Sequence, residues 1–115
     1  MKKYYIAVDF DGTLVENKFP NIGQAKVKVV RKLKKRIYKL ARAGWEPVLI
    51  LWTCRCDHGD DENYLSDAIQ WCRDNLPFEF LYFNENPDVD FGRPDLEKKI
   101  FAHEYWDDRA YNPIK

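Results

Sequence analysis

At 115 residues the chain is too short for two ordinary domains and long enough for one α/β core, and 45% apolar with 16% aromatic residues excludes disorder. Nineteen basic and nineteen acidic residues cancel, yet residues 1–52 hold twelve Lys and Arg against four acids and residues 53–115 seven against fifteen, so the halves carry +8 and −8. Three cysteines (Cys54, Cys56 and Cys72) make no disulfide framework, and Asp9 interrupts the first apolar run before it reaches the length of a secretory or membrane segment. The expectation is a single soluble, cytoplasmic domain over residues 1–115.

The first strand is expected over Tyr4 to Asp9, an apolar run that delivers two carboxylates where Gly12 breaks the extended chain. Side chains two apart on a strand share a face, so Asp9 and Asp11 stand close and need a shared proton or a divalent cation. Gly12 permits the tight turn, and Thr13 sets a hydroxyl and an N–H just beyond it. A calcium loop counted from Asp9 would want Gly sixth and Glu twelfth; those places hold Leu14 and Pro20, which excludes it. Residues 14–23, with Pro20, Asn21 and Gly23, read as a loop or small hairpin over the site.

From Ala25 to Ala43 the apolar positions Val27, Val30, Leu33, Ile37 and Leu40 recur at three and four, one face of a helix that Gly44 stops. The remaining positions carry nine Lys and Arg and no acid. Such a face suits nucleic acid, although a solvated exterior without a partner is the simpler account. Pro47 to Trp52 is a buried-type strand ending at Thr53. Asp60 or Asp61 is placed to cap a second helix with Leu65, Ala68, Ile69, Cys72 and Leu76 inward, and Pro77 ends it. A third strand over Phe78 to Phe83 ends at Asn84, a helical turn is expected near Pro94 to Lys99, and a fourth strand over Ile100 to Trp106 ends at Asp107-Asp108. Alternating strands and helices imply a mostly parallel sheet in a Rossmann-like three-layer α/β fold, with ligands beyond the carboxyl ends of the strands.

Asp9-Phe10-Asp11-Gly12-Thr13 after a buried strand resembles the nucleophile motif of the haloacid dehalogenase-like phosphohydrolases. The resemblance covers nearly the whole chain in motif order and implies a small, capless member. It implies that Asp9 attacks phosphorus, that Asp11 is general acid and base, and that Mg²⁺ is required, held by Asp9, the backbone carbonyl of Asp11 and Asp108, with Asp107 beside it. Thr53 matches the family's Thr or Ser position and Lys99 its charge-offsetting lysine, with Lys98 one residue away. Arg55 suits a phosphate or leaving group, and with Thr13 and Asn84, at the pocket entrance, it forms the expected substrate-binding set. His103 and Glu104 depart from the pattern by interrupting the last apolar run. Cys54-x-Cys56-x-His58 is spaced too tightly for the usual zinc site.

The expected activity is phosphomonoester hydrolysis through an aspartyl-phosphate. The substrate is a small molecule or a phosphate exposed on a macromolecule such as a polynucleotide end, and no membrane is involved. A receiver-type phosphoacceptor and a non-catalytic module of the same fold are the alternatives. The receiver reading is disfavoured because the central strand ends at Trp52-Thr53 without an aspartate.

Overall fold

The computed structural model describes residues 2–55, 57–58, 62–85 and 102–107. Strand β1 runs Lys2–Asp9, helix α1 Val27–Arg42, β2 Trp45–Trp52, β3 Asp57–His58, β4 Glu62–Asn63, α2 Tyr64–Asn75, β5 Tyr82–Phe83 and β6 Glu104–Trp106. The central sheet has the order β5-β2-β1-β6, and every pair in it is parallel. This is the expected Rossmann-like α/β architecture, and among the described residues no second domain interrupts it.

Strand geometry decides what the sheet buries. Ile6 and Val8 of β1 and Leu49 and Leu51 of β2 alternate onto one face, where they meet Val29, Leu33 and Leu40 of α1 and Ala68 and Cys72 of α2. Ala7 and Ile50, one step out of phase, form a smaller cluster on the other face with Ala102, Tyr5 and Tyr82. Steps from β1 to β2 to β5 go the same way across the sheet, so two right-handed crossovers put both helices on one face. β6 lies on the opposite flank of β1, and the order reverses there.

Several boundaries moved. The inward stripe of α1 begins at Val29, whereas Val27 is 53% exposed, because a 3.6-residue period that buries Leu33 and Leu40 carries position 29 inward and position 27 out. Gly44 stops the helix as expected, with φ +94° and its N–H donating to Ala41 O at 3.1 Å. The cap of α2 comes from a distance: Asp57 Oδ1 accepts from the N–H groups of Leu65 and Ser66, both at 3.0 Å. Asp60 and Asp61, expected in that role, lie outside the described residues, as does the helical turn expected at Pro94 to Lys99. The third strand keeps only Tyr82–Phe83 on the ladder, since Phe78 and Phe80 pack edge-on beside α2.

His103 and Glu104 fit the last strand by finding partners. The His103 backbone N–H donates to Tyr5 O at 2.8 Å, and its Nδ1 accepts from Tyr5 N at 2.9 Å, so an imidazole takes one ladder position. Glu104 is fully buried and accepts from Tyr4 Oη at 2.9 Å, Arg36 Nε at 2.5 Å and Trp106 Nε1 at 3.1 Å. Burial, followed by the bond to Glu104, raises the Tyr4 pKa, and the bond to Glu104 raises that of Arg36.

Candidate active site

Ladder register lines up the strand ends. Asp9 pairs with Trp52, Leu51 with Phe83, and Val8 with Trp106, so Asp107, Asp9, Trp52 and Asn84 form one row across the sheet, with Thr53 a step beyond. Adjacent strands lie about 4.8 Å apart, which puts the backbones of Asp9 and Asp107 about 5 Å apart if the pairing runs one residue further. The row crosses the place where the strand order reverses, the crevice at which open parallel sheets hold ligands. Asp107 is thus the acid level with Asp9; Asp108, expected as the direct ligand, lies outside the described residues, as do Lys98 and Lys99.

The chain beyond β1 folds back at once. Gly12 has φ +87°, and its N–H donates to Val15 O at 2.8 Å, closing the turn that a side chain would strain. Val15 bridges Ala25 antiparallel, the small hairpin expected over the site. The Phe10 N–H donates to Asp9 Oδ1 at 2.9 Å. The N–H groups of Phe10 and Gly12 are therefore engaged inside the loop. Thr13 is 1% exposed, and its Oγ1 has no hydrogen-bond partner among the described residues. An orphaned hydroxyl at that depth costs on the order of 1–3 kcal/mol.

Arg55 has a different task from the substrate binding expected of it. It is 2% exposed, and its guanidinium grips Asp11 by two bonds, Nε to Oδ2 at 2.7 Å and Nη2 to Oδ1 at 2.8 Å. Nη2 also donates to Asn21 O at 3.0 Å, and Nη1 to Pro20 O at 3.2 Å and Tyr64 O at 3.5 Å. Five N–H donors meet five acceptors, which leaves none for a ligand. The rings of Phe10 and Phe19 flank it, each centroid 5.1 Å from the guanidinium carbon. Asp11, expected to share a proton or a cation with Asp9, is ion-paired with Arg55 beyond the end of β1 at Asp9.

Asn84 is likewise a brace. It has φ +51°, a conformation that Asn tolerates, and its Oδ1 accepts from Thr53 N at 2.7 Å while its Nδ2 donates to Arg55 O at 3.2 Å. Its amide, expected to contact substrate, instead fixes Thr53 and Arg55, the first and third residues after β2. Thr53 Oγ1 accepts from Arg55 N at 3.1 Å and carries a proton of its own to donate.

Comparison with solved structures finds a conserved protein coded by a locus of Bacteroides thetaiotaomicron: 34% identity, a TM-score of 0.64, and coverage of 96% of this chain and 80% of that one. The chain belongs to the same family as that Bacteroides protein. No family model matches the chain, and no curated protein matches it.

Two further features leave no mark in the sequence. Lys26, at the N-cap of α1, reaches back to the loop after β1, its Nζ donating to Gly12 O at 2.8 Å. No spacing rule marks it, because the contact spans a turn of irregular length. A cavity of about 500 Å³ opens between α2 and residues 77–83, lined in part by Cys72, Phe78 and Phe80, and none of the rim residues borders it. Among the described residues no three acidic, histidine or cysteine side chains converge as a metal cage, and no helix is long and apolar enough to cross a membrane.

Proposed function

We propose that the protein is a phosphohydrolase of the haloacid dehalogenase-like kind, forming an aspartyl-phosphate on Asp9. What supports this most is the strand-end row, in which Asp9 and Asp107 stand level on adjacent strands at the sheet's reversal point, with Thr53 beside them. A carboxylate oxygen of Asp9 forms a bond to phosphorus as the bond to the leaving oxygen breaks; water then cleaves the acyl phosphate, returning the carboxylate and releasing phosphate. Thr53 Oγ1 and the Thr13 hydroxyl, which has no partner among the described residues, are the donors for the phosphoryl oxygens. Lys99 is the charge-offsetting cation of this reading, and Lys26 is a second cation at the nucleophile loop.

The donors at this rim are all oxygen, which fits magnesium. Asp9, the backbone carbonyl of Asp11 and the Asp107-Asp108 pair are the residues that would hold it. When bound it supplies positive charge that offsets the crowded carboxylates and the phosphoryl oxygens. Asp11 acts as acid and base in this scheme through the lone pairs that its two bonds from Arg55 leave open.

That grip on Asp11 favours a second reading, in which the aspartyl-phosphate forms and persists as in a phosphoacceptor module. One experiment separates the two: phosphate release from an aryl phosphate, with magnesium or chelator, by the wild type and Asp9→Asn. Repeated turnover lost in Asp9→Asn supports the hydrolase; one equivalent of bound phosphate per chain without turnover supports the acceptor. Equal release by the Asp9→Asn protein removes Asp9 as nucleophile and both readings with it.

A further inference from the structure

The exposed face of α1 is arranged as a track that ends at the candidate site. The helix begins at the catalytic rim, where Lys26 bonds to Gly12 O, and ends beside the start of β2 at the opposite edge. Lys28, Lys32, Lys35, Lys39 and Arg42 are exposed and recur at four and three, which on a helix is one stripe. At 1.5 Å per residue it is about 21 Å long. Arg31 and Lys34 flank it, and Tyr38, 61% exposed, stands among these cations.

Helix energetics give no reason for this arrangement. The first turn carries no acid and contains Lys28, so its charge opposes the macrodipole. Like charges four apart, such as Lys28 with Lys32 and Lys35 with Lys39, destabilise a helix where a Glu and Lys alternation would support it. The chain as a whole is neutral, so a polyanion would be drawn to this face rather than to the molecule at large.

We propose that the α1 stripe binds a single-stranded polynucleotide and delivers its terminal phosphate to Asp9. This rests on the phosphohydrolase reading and names its substrate class. The five cations take backbone phosphates, and the exposed Tyr38 ring offers a face on which a base stacks, which favours a single strand over a duplex.

The test is fluorescence anisotropy of the full chain with a 12-nucleotide single-stranded DNA carrying a terminal phosphate, in chelator so that none is released. Five neutralised phosphates give a slope of log affinity against log salt of about −3.5, a loss of about 100-fold from 50 to 200 mM salt. Replacing Lys32, Lys35 and Lys39 together by Gln should reduce that slope to about −1.4, while Tyr38→Ala should weaken binding about tenfold and leave the slope unchanged. Hydrolysis of an aryl phosphate by the triple variant should equal that of the wild type, which also shows that the variant is folded. Binding that ignores the triple substitution overturns the proposal. So does absence of oligonucleotide binding, with or without capture by phosphatidylserine vesicles, and in that case aryl phosphate turnover leaves the hydrolase reading standing. Oligonucleotide binding that follows the charges without aryl phosphate turnover supports the binding face and overturns both the hydrolase reading and the delivery of the end to Asp9.

Discussion

Substituting Arg55 by Ala is the most informative single change, because one buried side chain ties together three parts of the chain. It removes both bonds to Asp11 and the donors to the carbonyls of Pro20, Asn21 and Tyr64, which join the loop after β1, the hairpin over it and the start of α2. Removing one partner of a buried pair costs about 3–5 kcal/mol, chiefly because the remaining charge stays desolvated. Here Asp11 keeps 17% exposure, which lets water replace part of the loss and puts the expectation near the lower figure. Against a typical stability of about 5–15 kcal/mol that is a large fraction. With a urea slope of about 1–3 kcal/mol per molar, the midpoint should fall by about 1.5 M. Urea unfolding followed by tryptophan fluorescence reads it, since Trp71 packs edge-on against Phe10, one of the rings beside Arg55. Arg55→Lys should recover less than half, because three donors on a point charge cannot serve five acceptors. In the double variant with Asp11→Asn the two costs should fall short of their sum by at least about 1 kcal/mol. A midpoint for Arg55→Ala within about 0.3 M of the wild type, or strictly additive costs, would refute the clamp.

Glu104→Ala should destabilise by about 3 kcal/mol, the lower end for a broken buried pair because the stranded Arg36 stays a third exposed to water, and Tyr4→Phe by about 1–2, because it removes one of three donors to a buried carboxylate; the same denaturation assay ranks them. Thr13→Val should leave stability unchanged or raise it by about 1 kcal/mol while lowering aryl phosphate turnover on the order of a hundredfold, and a loss of stability with turnover intact would show the hydroxyl to be structural. Burial pushes the Cys72 thiol up from 9.0 to about 12. The folded chain thus keeps a proton that the unfolded chain gives up: the contribution is complete below pH 9 and is lost as pH climbs from about 9 towards 12. Denaturation at pH 8 and 10.5 should therefore show Cys72→Ala losing about 2 kcal/mol less than the wild type over that interval.

The order β1-α1-β2-α2 and the polar residue at each strand end were legible because they depend on local pattern. Tyr4 to Val8 and Pro47 to Trp52 are apolar at strand length, α1 repeats at helical spacing, and the glycines at 12 and 44 sit where positive φ is needed. Parallel pairing then follows from the crossovers, and with it the gathering of Asp9, Thr53, Asn84 and Asp107 on one rim. Partners distant in sequence left no such trace. Nothing near Arg55 announces that Asp11, Pro20, Asn21 and Tyr64 will surround it, and nothing near Glu104 announces Tyr4 and Arg36. A buried charge is tolerated only where remote donors or acceptors arrive to meet it, and that arrival is a property of the folded chain. Local pattern is enough to bring these residues to the rim, whereas only the packed chain makes Arg55 and Asn84 into braces for their neighbours.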